Sequence, residues 1–402
     1  MATKMISDID IAGKKVLMRV DFNVPLVDGN ISNDKRIVAA LPSINKVLES
    51  GGKLILMSHR GRPKGQVNLE FSLKPAADRL AELLGREVKL GPSDIAGDEA
   101  KTMAGALETG EVLLLENVRF DARETSKDID EVEAFGRELA ALGEVYVNDA
   151  FGTCHRKHAS MWGVPRAIQA TGGPAVAGLL VEKELKYLAQ AVTQPARPFV
   201  AILGGAKVSD KIKLVASLLD KVDTIIIGGG MAYTLLKSRG VEIGKSILED
   251  DQVDAMKDLL ARAGDKIVLP VDHICTDDFK NGSPVINRDV NIPDNLMGMD
   301  IGSESIEAFN RIIAGAKTVI WNGPMGVFER ADYAAGTRAI AQAVASSTDA
   351  GAFSVIGGGD SVAAVEQMGL ADRMTHVSTG GGASLTYLEG KGMAPIEILD
   401  RK

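Results

Sequence analysis

The stretch Phe199–Leu219, FVAILGGAKVSDKIKLVASLL, decides the predicted fold of this chain. It opens with Phe199–Leu203, an apolar run that is too short for a helix and rich in the Val and Ile of buried strands. Gly204 and Gly205 end this strand, and apolar residues then recur with helical spacing from Ser209 onward. The stretch therefore predicts a strand, a glycine turn and a helix, an arrangement that presents backbone N–H groups to a phosphate.

Two lysines follow the glycine turn. Lys207 and Lys211 are four residues apart, so both would project along one face of the first helical turn. Two cations at this point suit a polyphosphate, although an ordinary βα unit with solvated lysines is equally consistent with this stretch alone. The sequence contains neither G-x-x-x-x-G-K-[ST] nor G-x-G-x-x-G, so the common P-loop and dinucleotide designs have no support.

Apolar strand candidates alternate with helical patterns along almost the whole chain. This alternation is the signature of a parallel sheet covered by helices, so the predicted fold class is α/β with two Rossmann-like domains. At 402 residues the chain is long enough for about two to three domains. The predicted division is an N-terminal domain at 1–172, a hinge helix at 173–194, a C-terminal domain at 195–385 and a tail at 386–402.

In the first half, polar segments follow the predicted strands. In open α/β sheets the carboxyl ends of the strands carry the ligand site, so these segments should meet at one edge. The cationic side chains expected there are Arg36, His59, Arg62, Arg119 and Arg156. Such like charges repel each other unless an anion joins them, and arginine suits bidentate recognition of phosphate or carboxylate. The neighbouring Asp21 and Asn23 offer partners for the hydroxyl groups of a small polyol phosphate.

In the second half, glycine clusters take the same positions after the strands. They lie at Gly228–Gly230, Gly357–Gly359 and Gly380–Gly382. Glycine lets a ligand approach the backbone closely and frees N–H groups at the start of a following helix, so the repetition favours a nucleotide site over simple tight turns. Asp360, beside its glycines, is a candidate Mg²⁺ ligand, because phosphate enzymes often hold Mg²⁺ through one carboxylate and the nucleotide.

Composition excludes several other classes of protein. The net charge of −8 argues against general nucleic-acid binding, and two cysteines cannot form a disulfide framework. The first ten residues lack an apolar signal region, and no apolar run is long enough to cross a bilayer, so we expect a cytoplasmic protein that does not bind membranes. The stretch Cys154–His158 lacks the further regularly spaced ligands that a zinc site needs.

The chain resembles the phosphoglycerate kinase family over essentially its whole length. The motifs that carry the resemblance are RVDFNVP (Arg19–Pro25), SHRGRP (Ser58–Pro63), LENVRF (Leu115–Phe120), NDAFGTCHR (Asn148–Arg156), GGAKVSDK (Gly204–Lys211), WNGPMGVFE (Trp321–Glu329), GGGDS (Gly357–Ser361) and STGGGAS (Ser378–Ser384). The resemblance implies a monomeric, Mg²⁺-dependent glycolytic enzyme. It would transfer a phosphoryl group reversibly between 1,3-bisphosphoglycerate with ADP and 3-phosphoglycerate with ATP.

The resemblance also implies roles for individual residues. The phosphoglycerate would be held by Asp21, Asn23, Arg36, His59, Arg60, Gly61, Arg62, Arg119 and Arg156. The nucleotide would be held by Gly205, Ala206, Lys207, Lys211, Gly228, Gly229, Gly298, Asn322, Pro324, Glu329, Gly357, Gly358, Gly359, Asp360 and Ser361, with Glu329 at the ribose and Asp360 on the metal. The residues assigned to catalysis are Arg36, Lys207, Lys211, Gly380 and Gly381. The tail would fold back onto the first domain.

The implied chemistry agrees with the residues. The acceptor would be a carboxylate with a reference pKa near ~4, which is already ionised at neutral pH, so no general base is needed. Catalysis would come from positioning and from charge stabilisation, and the cleft would close to exclude water from the acyl phosphate. Two alternatives remain. A sugar-phosphate dehydrogenase lacks its dinucleotide fingerprint here, and a non-catalytic phosphometabolite sensor would differ by showing no turnover.

Overall fold

Parallel strands alternate with helices through the first part of the chain in a computed structural model, which describes residues 2–402. The strands are β1 (Lys15–Val20), β2 (Leu26–Val27), β3 (Asn30–Ile31), β4 (Lys53–Met57), β5 (Lys89–Leu90), β6 (Val112–Leu114), β7 (Val145–Asp149) and β8 (Ala175–Ala177). The helices are α1 (Lys35–Glu49), α2 (Lys74–Leu84), α3 (Asp98–Gly105), α4 (Ile129–Ala140), α5 (Val164–Ala170) and α6 (Leu179–Thr193). The first of two units comprises the chain as far as Leu185 together with Gly392–Lys402.

The main sheet of this first unit is parallel and has the strand order β5-β6-β4-β1-β7-β8. Strand β1 therefore lies between β4 and β7, with Val16 opposite both Leu54 and Val145. Five of its six residues are buried, as expected for an inner strand covered on both faces. Helix α1 packs through Ile37 and Ile44, which fall on one helical face, and burying such a side chain stabilises the fold by ~1.5–3 kcal/mol.

The second unit, Lys186–Lys391, repeats the architecture with a separate core. Its strands are β9 (Phe199–Leu203), β10 (Thr224–Ile227), β11 (Ile267–Val268), β12 (His273–Thr276), β13 (Val285–Asn287), β14 (Met297–Ile301), β15 (Thr318–Asn322), β16 (Phe353–Gly357) and β17 (His376–Val377). Its helices are α7 (Ile212–Leu219), α8 (Met231–Ser238), α9 (Val253–Ala263), α10 (Ser303–Ala314), α11 (Ala335–Asp349), α12 (Gly359–Gln367) and α13 (Gly382–Leu388). The main sheet is parallel, with the order β11-β10-β9-β15-β16-β17. The predicted α/β class with two parallel sheets is confirmed.

The second unit also contains a small antiparallel sheet of order β13-β12-β14, which sequence reasoning missed. In β13, Val285 and Ile286 are exposed, so the strand lacks the buried apolar character on which the predictions relied.

Two predicted helices begin later than expected. Helix α7 starts at Ile212 rather than at Ser209, because the amide and hydroxyl of Ser209 both donate to Glu249. Lys207 and Lys211 therefore lie before the helix and not on its first turn. The helix predicted across 173–194 begins only at Leu179, because Ala175–Ala177 forms β8 alongside β7.

The start of α6 is tied to the end of β7. Asp149, the last residue of β7, is fully buried, and its Oδ1 accepts a hydrogen bond from the Leu180 amide at 2.9 Å. A carboxylate at a helix start accepts hydrogen bonds from N–H groups that have no partner within the helix, and its negative charge is attracted to the positive end of the helix dipole. Burial nevertheless raises the pKa of the Asp149 carboxyl to about 7.

The last described residues belong to the first unit. They include helix α14 (Ala394–Glu397). The Asn148 side chain donates to the Pro395 carbonyl at 3.1 Å, and Gln169 Nε2 donates to Asp400 Oδ1 at 2.8 Å. The amide of Asp400 donates to the Ala175 carbonyl at 2.8 Å, so this segment extends the hydrogen bonding at the outer strand of the sheet.

Candidate functional site

The loops that follow β1 and β4 bring several predicted residues together in the first unit. Arg36 NH1 donates to Asp21 Oδ1 at 3.1 Å and to the Asn23 carbonyl at 3.1 Å. Asn23 Oδ1 in turn accepts from the Gly61 amide at 2.9 Å. Strands β1 and β4 are neighbours in the sheet, so their carboxyl ends place these loops side by side. The Arg36 side chain remains 40% exposed, which leaves part of the guanidinium open to a ligand.

Arg119, after β6, joins the same group. Its NH1 donates to the Gly61 carbonyl at 2.8 Å, while its buried Nε has no hydrogen-bond partner. Burial, together with the charges of the nearby Arg19 and Arg156, lowers the pKa of Arg119 to about 10. A partly desolvated guanidinium beside other cations is stabilised when an anion binds. We call Asp21, Asn23, Arg36, His59 and Arg119 the unit 1 site.

Burial and charge also act on the acidic and imidazole groups here. Burial raises the pKa of Asp21, but the neighbouring His59, Arg36 and Arg19 and the Asn23 amide together lower it more, so its net pKa is lowered. Burial lowers the pKa of His59 well below its usual value, and it lowers the pKa of His158 to about 3, with Arg119 adding to both shifts. The carboxyl of Asp21 is therefore ionised and the imidazoles are neutral at neutral pH.

The other predicted cations differ in their surroundings. Arg60 contacts residues outside the unit 1 site: its Nε donates to the Ser72 carbonyl at 2.9 Å, and its Cζ lies 5.9 Å from the centroid of the Phe71 ring. Arg62 is exposed. Arg156 is also exposed and donates to His155 Nε2 at 2.9 Å.

In the second unit, Lys211 and Asn322 meet after strands β9 and β15, which are neighbours in the sheet. The Lys211 ammonium donates to Asn322 Oδ1, and the buried Nδ2 of Asn322 has no partner. Burial lowers the pKa of Lys211, although Asp360 and Asp210 oppose the shift. An unpaired buried N–H donor costs free energy, so this side chain is prepared to bind an acceptor oxygen.

The start of α12 lies beside Asn322. Ser361 Oγ accepts from the Gly323 amide at 2.5 Å. A Cβ on Gly358 would lie 2.8 Å from Asn322 Nδ2, whereas a Cβ on Gly359 would meet open space. Free N–H groups at a helix start favour an anion. We call Lys211, Asn322, Gly358, Asp360 and Ser361 the unit 2 site.

Several predicted glycines have a packing explanation. A Cβ on Gly204 would lie 2.0 Å from the Pro324 carbonyl oxygen, and a Cβ on Gly229 would lie 2.7 Å from the Gly205 amide nitrogen. On Gly228 it would lie 2.6 Å from the Met325 sulfur. These glycines allow the loops after β9, β10 and β15 to pack against each other. The simple turn explanation, with close backbone packing, therefore accounts for them without a ligand.

The remaining predicted site residues differ in their exposure to solvent. Ala206, Lys207 and Glu329 are exposed, whereas Pro324 and Gly357 are buried. Gly298 lies in β14, where a Cβ would collide with the Tyr233 hydroxyl at 1.9 Å. The Gly380 amide donates to Ser378 Oγ at 3.0 Å. A Cβ on Gly381, whose φ is +48°, would meet open space.

Asp360 fits the predicted metal role in its chemistry. Its exposed carboxylate stands in the first turn of α12, and carboxylate oxygen is a hard ligand that Mg²⁺ accepts. Within residues 2–402, no three His, Cys, Asp or Glu side chains are grouped to hold a metal ion. One protein carboxylate suits a Mg²⁺ ion that is bound mainly through nucleotide phosphates.

Sequence reasoning missed a buried polar group behind the unit 1 site. Arg19 in β1 is 1% exposed and donates from Nε to Ser160 Oγ at 2.8 Å. Ser160 Oγ donates to Glu124 Oε1 at 2.7 Å, and Glu124 is fully buried. The available signal was a charged residue inside the apolar strand sequence VLMRV, because a buried charge requires a partner.

Comparison with known proteins accounts for this architecture. The family model described as phosphoglycerate kinase matches residues 6–391. The chain belongs to the phosphoglycerate kinase family. The phosphoglycerate kinase of Chloroherpeton thalassium is 54% identical over 99% of both chains, and that of Lactobacillus delbrueckii subsp. lactis is 51% identical over 100% of both. The family resemblance inferred from the motifs is thus confirmed.

Solved structures of the phosphoglycerate kinase family share the fold. The structure from Coxiella burnetii has a TM-score of 0.86 and 39% sequence identity, and it covers 99% of this chain and 98% of its own. The structure from Pyrococcus horikoshii has a TM-score of 0.86 and 33% identity, with 98% of each chain covered. In residues 2–402, no helix is long and apolar enough to span a membrane.

Proposed function

We propose that this chain catalyses the reversible, Mg²⁺-dependent transfer of a phosphoryl group between 1,3-bisphosphoglycerate with ADP and 3-phosphoglycerate with ATP. The observation that carries the proposal is the unit 1 site, where arginines and an imidazole follow adjacent strands in a chain of this family. Arginine supplies fixed donors for carboxylate and phosphate, which are the two anionic groups of phosphoglycerate.

In this proposal the unit 1 site holds the phosphoglycerate. Arg36 neutralises negative charge at the reacting end of the phosphoglycerate. Its guanidinium is partly exposed, so it can exchange Asp21 for an anionic group of the substrate. Asp21 and Asn23 accept from the substrate hydroxyl, and Asn23 also holds the Gly61 amide in place. Arg119 contributes its unpaired Nε. The predicted set is completed by Gly61, Arg60, Arg62 and Arg156.

The unit 2 site holds the nucleotide phosphates. Lys211 and the unpaired Nδ2 of Asn322 donate to phosphate oxygens, while the open start of α12 supplies backbone N–H groups. Lys207 is exposed, and we assign it to the transferring phosphoryl. Glu329 is assigned to the ribose, and the glycine loops with Ala206 and Pro324 surround the nucleotide.

Asp360 would hold the metal. Bound Mg²⁺ neutralises phosphate charge and orients the nucleotide. The protein contributes positioning and positive charge, and no general base is required because the acceptor carboxylate is already ionised. Lys207, Lys211 and Arg36 supply that charge, together with the helix start near Gly381. We assign the enzyme to glycolysis and to the cytoplasm, as a monomer.

The test measures ATP consumption by the purified protein with Mg²⁺, in the presence and absence of 3-phosphoglycerate. We expect turnover only with 3-phosphoglycerate, and a loss of roughly 100-fold or more in Arg36→Ala. Arg311→Ala is the matched control, because Arg311 also pairs with a carboxylate, that of Glu307 at 3.7 Å, but lies on the surface of α10. Tight binding of both ligands without turnover would instead support a phosphometabolite sensor.

A further inference from the structure

A buried hydrogen-bond chain ends at the imidazole of His59. Arg19 NH2 lies 3.2 Å from His59 Nδ1, while its NH1 donates to the Val20 carbonyl. Among residues 2–402, this contact is the one hydrogen bond of the His59 ring, and 4% of the residue is exposed. The Arg19 guanidinium therefore determines whether His59 Nδ1 donates or accepts a hydrogen bond.

The guanidinium itself is held on its other side. Its Nε donates to Ser160 Oγ, and Ser160 donates to Glu124 through both its hydroxyl and its amide, at 2.7 and 2.9 Å. Glu124 is fully buried, and burial raises the pKa of its carboxyl, while the charge of Arg19 and the hydrogen bonds from Ser160 favour the ionised form. A buried ion chain with these hydrogen bonds satisfied holds its members in one geometry.

The hydrogen-bond donors of Arg19 determine which nitrogen of the His59 imidazole carries the proton. A guanidinium has only N–H donors and stays charged, so the nitrogen that faces it must accept. A neutral imidazole with an accepting Nδ1 carries its hydrogen on Nε2. An imidazolium would place a second N–H against the Arg19 donors, which is electrostatically unfavourable.

We propose that Arg19 is a positioning residue that keeps His59 neutral, with its proton on Nε2, so that this N–H donates to an oxygen of the bound phosphoglycerate. The proposal rests on the proposed function, which assigns His59 to the phosphoglycerate. It goes further by naming the donor atom, the protonation state and the residue that sets both.

The other titratable groups around His59 are Asp21 after β1, Arg119 after β6 and His158 before α5. Burial is the largest cause that lowers the pKa of His59. Arg19, Arg119 and His158 act in the same direction, and Asp21 opposes them. Of the two guanidinium groups, Arg19 is the one that contacts the ring, so its replacement should change both the proton position and the pKa.

The first test uses the unaltered protein. Nitrogen-15 NMR of the histidine rings, with His59 assigned by comparison with His59→Gln, reports which ring nitrogen carries the proton. We expect an unprotonated Nδ1 and a protonated Nε2 at every point between about pH 5.5 and pH 8. A ring that titrates near its usual pKa of ~6.5, or a proton on Nδ1, would overturn the proposal.

The second test compares Arg19→Gln with Arg19→Lys. A glutamine oxygen can accept from Nδ1–H, so the ring should titrate and the KM for 3-phosphoglycerate should become pH dependent. Ionisation of the substrate affects the KM of the variant and of the wild type equally, so it cancels in the ratio of the two KM values. We expect this ratio to change about threefold or more across the range for Gln, and to stay nearly constant for Lys, which keeps a donor-only cation. A constant ratio in Arg19→Gln would contradict the proposal.

Turnover and substrate titration on the same samples separate this proposal from the proposed function. Active enzyme whose His59 ring titrates normally would overturn the role of Arg19 alone. Active enzyme in which 3-phosphoglycerate leaves the Nε2 signal unshifted would overturn the donor assignment. Absence of turnover, with the ring fixed in the expected tautomer, would overturn the proposed function while supporting the effect of Arg19 on the ring.

Discussion

Lys211 donates a hydrogen bond to Oδ1 of Asn322, a residue 111 positions further along the chain, and leaves Nδ2 of that amide buried without a partner. The amide thus holds the lysine with one atom and offers the other to a ligand. Since strands β9 and β15 are adjacent, this pair joins two loops of the second unit. We treat it as the centre of the unit 2 site.

Replacing Asn322 with Ala removes both functions of the amide. We expect the KM for ATP to rise roughly tenfold or more, because a hydrogen bond to a charged group contributes ~1.5–3 kcal/mol. Asn322→Asp should be worse still, because its carboxylate repels phosphate and pairs with Lys211. Steady-state kinetics at saturating 3-phosphoglycerate checks this. An unchanged KM for ATP in both variants, with the fold intact by circular dichroism, would remove Asn322 from the site.

Lys207→Ala should act mainly on turnover. Its ammonium is exposed in the loop before α7, where it is free to follow the transferring phosphoryl group. We expect kcat to fall by roughly 100-fold with little change in KM, since the interaction forms chiefly in the transition state. Lys213→Ala is the control, because Lys213 is an exposed lysine of α7 nearby. A rise in KM alone would refute a transition-state role for Lys207.

Asp149→Asn should alter how stability depends on pH. The pKa of Asp149 is about 7 in the folded protein and ~3.9 in an unfolded chain, so the folded state binds more protons between these values. Stability from this group is full below about pH 4 and is lost as the pH rises through 7. Asparagine cannot ionise, so the variant should gain stability relative to wild type from pH 4 to pH 8.

Urea unfolding of wild type and Asp149→Asn at several pH values measures this effect. The control is Asp10→Asn, because Asp10 also accepts a backbone N–H, that of Ala12 at 3.1 Å, but is exposed. If the difference in unfolding free energy between Asp149→Asn and wild type does not vary with pH, the raised pKa is wrong.

Asp400→Ala should destabilise the first unit. The Asp400 carboxylate accepts from Gln169 Nε2 at 2.8 Å and from the Ala175 amide at 3.1 Å. Loss of both hydrogen bonds should cost ~1–2 kcal/mol, which lowers Tm by roughly 2–4 °C per kcal/mol. Asp400→Asn keeps one acceptor oxygen and should lose less. Scanning calorimetry checks the order wild type, Asn, Ala, and equal Tm values for all three would contradict it.

The inner strands could be predicted because their sequences are continuous apolar runs. Strand β9 was predicted with the bounds that the structure shows. Strand β8 was missed because three residues, Ala175–Ala177, carry too little pattern, and only its pairing with β7 makes it a strand. Long-range pairing of this kind leaves no local signal in the sequence.

The sequence predicts which loops form the site, but it does not predict the directions of their side chains. The strand order β6-β4-β1 explains why the segments that carry Arg36, His59 and Arg119 lie at one edge of the sheet. The direction of Arg60 depends on its contacts with Ser72 and Phe71, which no spacing rule indicates. The late start of α7 depends in the same way on Glu249, which is 40 residues from Ser209. Contacts between distant side chains decide such details.

The first unit joins chain segments from both sides of the second, and this has a consequence for biosynthesis. The amide of Lys4 donates to the carbonyl of Asp400 at 2.7 Å, and Gly392–Lys402 belongs to the same unit as the chain up to Leu185. The ribosome makes all of Lys186–Lys391 between these segments. The nascent first unit must therefore remain without its C-terminal segment while the whole of the second unit emerges from the exit tunnel.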